Sequence, residues 1–456
     1  MLPIIPGRSS STPRHNQVRG VATCHEKAET VSGTIRQDEH ESPRTWWLHL
    51  GVFVLACLTV IARRPGSVLN PQFYAEDGRV FFQEAYNTGW WSSLLRPYGG
   101  YFHAVPRLGA AVALLVPLFL APLVLNFIAI AGQALPVSLL VSSRSARWGP
   151  LRYRGILAAT YLVLPNLSEL GTNITNVQCF LALSGFLLVV ASAPRTILGR
   201  IFESLFLLLF GLSGAYCVFL LPIAFLQLWK DRSRWKICQT SVLAATALLE
   251  AWSLLVLDPA GRVHYPLGNS LVWFTRVVAG QVYLGVLLGT NILGSVGGNA
   301  MFLFLAAVAL CCTCLVVVCA VRASWPMKLF LLFSFIVLAA ALVSPLLPVP
   351  PGYSLWQLMA EAWGSHYWFF PNLAFAWTLL WCVHARPDAL RVASGFLIFF
   401  MAIAIVRDFR QPPLKDLNFR DYARQFQAAP PGQEFHIPTN PANWSMRLIK
   451  HPDKAR

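Results

Sequence analysis

Residues 301–321 read MFLFLAAVALCCTCLVVVCAV, an apolar run without one charged side chain. A helix needs about 20 such residues to cross a hydrocarbon core of roughly 30 Å, and this stretch meets that length. Comparable runs recur at 46–62, 122–142, 237–257, 328–347, 368–385 and 389–406, with shorter ones at 155–167, 178–193, 201–213 and 215–229. A transmembrane β-barrel would show short alternating segments instead. The reading is therefore all-α: a polytopic transmembrane helix bundle of about 11 spans. Composition agrees, since 56% of the 456 residues are hydrophobic and only 12% charged, against roughly 25% in a soluble domain.

The net charge of +16 does not call for a nucleic-acid partner. The basic residues gather between the runs, in RSARWGPLRYR (144–154), KDRSRWK (230–236) and HARPDALR (384–391), as expected of cytoplasmic loops. The four cysteines of the opening run, Cys311, Cys312, Cys314 and Cys319, read as small packing residues. Residues 1–45 are polar and mixed in charge, which reads as a disordered cytoplasmic tail rather than a cleaved signal peptide.

With the basic loops in the cytoplasm, the 46–406 core has its first outer loop at 63–104. The loops near 166–178, 258–270 and 348–367 and the small 407–456 segment also face outward. The expected setting is a plasma membrane. The scheme needs an odd number of crossings between Tyr101 and Arg144, so 105–120 reads as a re-entrant or broken helix, and 271–290 likewise. The 200–229 run reads as two short helices hinged at GLSGAY (211–216). Arg63 and Arg64 run against the charge bias, because they follow the first span on its outer side.

The outer loops hold the chemistry. In NPQFYAEDGRVFFQEAYNTGWW (70–91), Glu76 and Asp77 precede a short amphipathic interfacial helix with Trp90 and Trp91 at headgroup level. From residue types alone, Asp77 caps that helix and Glu76 is solvated. His103 and Arg107 follow in the same loop. The polar 166–178 segment offers Glu169 and Asn173, beside Asn166, Asn176 and Gln178, either for a hydrophilic cavity or as a solvated turn. Arg262 and His264 belong to the next outer loop, and His366 and Tyr367 enter the span after the last. Such histidines serve as interfacial anchors or as ligands. The tail reads as an amphipathic helix through Tyr422 and Phe426, then two extended pieces, EFHI and WSMRLI, about a TNPAN turn.

Four motifs carry a resemblance: YAEDG (74–78), PYGGYFHAVPRL (97–108), PNLSELGTNITN (165–176) and HYWFFP (366–371), with the tail pattern IPTNPANWSMRL (437–448). Together they resemble the GT-C superfamily of multi-span glycosyltransferases, and more narrowly bacterial membrane proteins of that layout, which implies a bacterial inner membrane. The resemblance implies inverting transfer of a sugar from a polyprenyl-phosphate donor to an envelope glycan or lipid acceptor. Asp77, or else Glu76, would be the general base. It further implies that Arg107, Arg262, His264 and His366 face the leaving phosphate. His103, Glu169, Asn173 and Tyr367 complete the expected substrate-binding set. No cofactor follows from the motifs, and two adjacent acids do not define a divalent metal site. Two other functions are consistent with the same layout: a carrier or flippase for a lipid-linked saccharide, and a non-catalytic subunit of a polysaccharide assembly complex.

Overall fold

The computed structural model describes residues 43–258, 270–290, 301–343 and 364–452. Arg262, His264 and residues 1–42 of the expected tail lie outside these. The described chain is mostly helical, and six helices are long and apolar enough to cross a membrane: Leu118–Val141, Arg234–Leu257, Leu271–Leu288, Phe302–Arg322, Trp325–Val343 and Asp388–Asp408. Shorter apolar helices, among them Trp47–Arg63, Val177–Val190 and Tyr216–Lys230, accompany them. This is a multi-pass membrane architecture.

Lipid tails are as apolar as leucine, so association of such helices depends on packing and internal hydrogen bonds rather than on hydrophobic burial. At the centre, rings interlock: Phe330 lies 4.5 Å from Trp377, and Phe333 lies 4.8 Å from Phe370. The expected hinge near 211–216 separates Ile197–Gly211 from Tyr216–Lys230. Gly214 adopts φ +145°, a conformation that other residues rarely adopt, which favours glycine in the turn.

Hydrogen bonds sort the connections into two faces. On one face, Gln411 N–H bonds the Arg63 carbonyl, Asn126 reaches the Ser67 carbonyl and Ala104 N–H bonds the Leu212 carbonyl. Asp258 accepts from Gly100, and Asp408 accepts from Asn166 and Thr290. Residues 258 and 290 thus share the face of the first loop, with the Leu271–Leu288 helix between them in sequence. A stretch of π-helix, Arg276–Leu284, interrupts it. The 105–120 stretch likewise stays on this face. Ala104–Ala113 is a short helix, and a long one begins beyond Pro117, in Ala121–Val141.

Arg63 and Arg64 are buried, 3% and 5% exposed. Arg63 donates to the carbonyls of Leu162 (2.7 Å), Leu164 (3.1 Å) and Phe409 (3.3 Å), and Arg64 to those of Gly171 (2.8 Å) and Ser168. The last carbonyls of a helix lack intrahelical partners. Arg63 supplies them at the end of Leu151–Val163.

The tail folds as the sequence suggests. Phe419–Ala428 buries Phe419, Ala423 and Phe426, and an antiparallel hairpin follows: β1 (Glu434–Thr439) paired with β2 (Trp444–Ile449), Ile437 opposite Met446. The outer edge of β2 is closed by two amide side chains one helical turn apart on Gln83–Thr88. Gln83 Oε1 accepts from Arg447 N–H (2.5 Å). Asn87 accepts from Ile449 N–H (3.1 Å) and donates to the Arg447 carbonyl (2.7 Å). The tail is therefore docked on the first loop.

Candidate functional site

The first-loop helix runs through Asp77–Phe82 and Gln83–Thr88, burying Val80, Phe81, Phe82 and Ala85 and ending at Gly89, with Trp90 and Trp91 exposed. Its start is fixed from outside. Ala75 sits at φ +43°, a left-handed conformation costing a non-glycine residue roughly 1–2 kcal/mol, and its N–H is held by the Asn440 carbonyl of the tail. His103, Asn166 and Thr172 are also left-handed, so four such residues surround this mouth. Strain of this kind persists only where neighbouring structure enforces it.

The two adjacent acids part company here. Asp77 is 1% exposed and does not cap its own helix. Its Oδ1 accepts from Thr175 Oγ1 (2.5 Å) and Thr175 N–H (2.9 Å), and Oδ2 from Ile174 N–H (3.4 Å). It ties the first loop to the turn preceding Val177–Val190. Burial pushes its carboxyl up to about 7, against the lowering effect of the Thr175 donors. Glu76 occupies the cap position without a capping bond and is half-buried, with the Tyr98 hydroxyl 3.4 Å away. Burial raises its carboxyl. Its own backbone N–H and the nearby His366 oppose that rise, while nearby Glu169 adds to it.

Glu169 and His366 form the second half of the cluster. Glu169 Oε2 lies 3.3 Å from His366 Nδ1 and accepts from Ser365 N–H (2.8 Å) and Ser365 Oγ (3.3 Å). Burial pushes its carboxyl up, but His366 and the Ser365 donors outweigh that and hold it below the usual range. The Tyr367 ring lies tilted against His366, 4.0 Å between ring centres, in the first turn of Ser365–Cys382. Glu76, Glu169, His366 and Tyr367 are thus brought together.

Other expected ligands serve the architecture. Arg107 is 1% exposed, donating to Glu84 (2.7 Å), Ser93 (2.8 Å) and the Phe102 carbonyl (3.0 Å), so it does not face a leaving phosphate. His103 is buried against Phe81 and donates to the Tyr98 carbonyl (3.1 Å), bracing the turn rather than meeting substrate. That turn needs its glycines: Gly100 has φ +87°, and a Cβ there would lie 2.5 Å from Leu254. Asn173, expected in a hydrophilic cavity, is 1% exposed, donating to the Glu169 carbonyl (2.8 Å) and accepting from Asn176 N–H (2.9 Å). Asn166 is likewise consumed by the Gln281 carbonyl (3.0 Å).

Three residues outside the expected set belong to the cluster. Tyr98 carries the hydroxyl beside Glu76. Tyr74 lies near Arg64, Glu169 and both acids, its hydroxyl held protonated by burial and by the Glu169 charge. Arg79, one helical turn after Glu76, is exposed, with its guanidinium 5.0 Å from the centre of the Trp444 ring. The i, i+3 spacing of Glu76 and Arg79 is a sequence signal, whereas Trp444 comes from the far tail. Among the described residues, no group of three or more His, Cys, Asp or Glu side chains is arranged to hold a metal ion.

No protein-family model matches the chain, and a search of curated proteins returned no match.

Proposed function

We propose that this is a GT-C-type membrane glycosyltransferase of about 11 crossings. It would transfer a sugar from a polyprenyl-phosphate donor to an envelope glycan or lipid acceptor, with inversion, on the outer face of a bacterial inner membrane. The crossings would be the first helix, Ala121–Val141, the short helices between 151 and 230, Arg234–Trp252 and the four from Phe302 onward. Ala104–Ala113 and Leu271–Leu288 would be the non-crossing segments. The N-terminus would then be cytoplasmic and the tail outward.

One observation carries the reading: a half-buried carboxyl, Glu76, stands at the mouth of an apolar bundle with His366 near it and Arg79 one turn further along the same helix. Glu76 takes the proton of the acceptor hydroxyl as that oxygen bonds the anomeric carbon. The anomeric carbon–phosphate oxygen bond breaks with its electron pair leaving on the polyprenyl phosphate. Arg79 and His366 meet the charge that builds there. Asp77, with both oxygens occupied, positions the loop and is not the base. The base thus moves from the aspartate to its neighbour, because Thr175 and Ile174 occupy the Asp77 oxygens whereas Glu76 meets only the Tyr98 hydroxyl at 3.4 Å.

The test is sugar transfer from a labelled polyprenyl-phosphate donor in proteoliposomes. Glu76→Gln is expected to lower turnover by about 10²–10⁴ with folding intact. Because burial raises the Glu76 carboxyl, the wild-type rate should climb with pH through a value above the ordinary glutamate range. Turnover unchanged in Glu76→Gln overturns the assignment.

A further inference from the structure

The face opposite the mouth carries a second built feature. Asp388–Asp408 has Asp408 among the first-loop contacts, so its beginning lies about 30 Å away along a helix rising 1.5 Å per residue. There Arg322, Arg386, Pro387, Asp388 and Arg391 line an open groove of about 540 Å³. Two guanidiniums are fixed by backbone: Arg322 Nη1 donates to the Arg386 carbonyl (2.9 Å), and Arg391 Nε to the Ala385 carbonyl (2.8 Å). Arg391 Nη1 also bonds Asp388 (3.1 Å), the one carboxylate in the groove. Arg386 is exposed, and its guanidinium has no hydrogen bond or ion pair among the described residues. Three arginines against one acid leave forked donors unspent, and such donors match phosphate oxygens.

What surrounds the groove decides its occupant. It joins Phe302–Arg322 to Asp388–Asp408, the two most outward-facing of the six long helices. Only 17% of the most apolar stretch of each is buried, against 33% or more in the other four. Next to the arginines these helices present exposed Val317 and Val321, and exposed Val392 and Phe396. A cationic groove at the ends of two helices that both carry exposed apolar side chains suits the headgroup and chains of a phospholipid. A soluble anion would use only its upper part.

We infer that this groove binds an anionic phospholipid, with the headgroup phosphate among Arg322, Arg386 and Arg391 and the acyl chains along the two outer helices. The site is independent of the chemistry at the mouth.

The test is native mass spectrometry and thermal melting of the full chain in detergent, with phosphatidylglycerol or phosphatidylcholine added. The wild type should retain phosphatidylglycerol preferentially and melt higher with it. Each arginine charge removed should weaken retention about fivefold, so Arg386→Gln with Arg391→Gln should lose it about 25-fold. Arg386→Gln alone breaks no bond in the fold and serves as the variant that must still run monodisperse. Equal retention of both lipids by the wild type, or undiminished retention by the double variant, overturns the site. If inorganic phosphate displaces phosphatidylglycerol and raises the melting temperature as far, the groove is a soluble-anion site and the lipid assignment fails.

Discussion

Arg63 with Arg64, and Arg386 with Arg391, are arginine pairs at opposite ends of the bundle; both members of the first hold backbone carbonyls, and in the second only Arg391 does. The first pair is buried and spends its donors on the ends of neighbouring segments. The second is exposed around an open groove and keeps donors in reserve. Both look like loop charges in a sequence. The difference teaches that charge counting across a membrane should omit arginines whose role is to close helix ends, since these are paid for by hydrogen bonds inside the protein.

The comparison can be broken at several points. The largest effect is expected from Arg107→Ala, which leaves a buried void and leaves Glu84 only the longer contact to Arg96 (4.0 Å). Removing one partner of a buried ion pair costs about 3–5 kcal/mol; the part exposure of Glu84 puts this case near the lower end. A melting temperature within a degree of wild type would deny Arg107 its structural role. Arg64→Ala should cost about 1–3 kcal/mol through the carbonyls of Ser168 and Gly171 left without donors. Arg391→Gln in the open groove should stay within about 0.5 kcal/mol. Similar losses in the two would erase the distinction drawn between the clusters.

A smaller, pH-dependent effect separates the two acids. The Asp77 carboxyl is raised from 3.8 to about 7 in the fold, so the neutral form is favoured there. Its stabilising contribution is full below the unfolded value and is lost as pH rises through about 7. Between about pH 5 and about pH 8, wild type should therefore lose melting temperature relative to Asp77→Asn, which cannot ionise. Parallel curves for the two proteins would contradict the burial of that carboxylate. Least of all, Trp444→Ala should reduce stability by about 0.5–1 kcal/mol, the worth of an exposed cation–π contact. It should raise KM for the donor more than it lowers kcat, because it frees Arg79 without touching Glu76.

Much of the helical layout was legible because apolar runs of membrane length leave few alternatives. The Gly214 hinge and the tail hairpin announced themselves through GLSGAY and TNPAN. The division of labour between Glu76 and Asp77 did not, because it is decided by Thr175, 98 positions away. A local pattern sees a carboxylate ahead of a helix and assigns a cap, and only tertiary contact reveals that the acceptor serves another segment. The same holds for PYGGYFHAVPRL, whose histidine and arginine resemble ligands in sequence and are consumed by Tyr98 and Glu84 in space. Polar residues near a span mouth must satisfy the irregular backbone there before any remain for substrate.

The amide clamp of Gln83 and Asn87 on β2 has a consequence for biosynthesis. Its partners are separated by 364 positions, and at about 5–20 residues per second a ribosome needs tens of seconds to span them. The first loop emerges early and waits, with Ala75 and the Glu76 turn lacking their tail contacts, until every intervening helix has been inserted. Completion of the mouth is thus a late event of assembly. A chain released early could be fully inserted and still have an unfinished first loop.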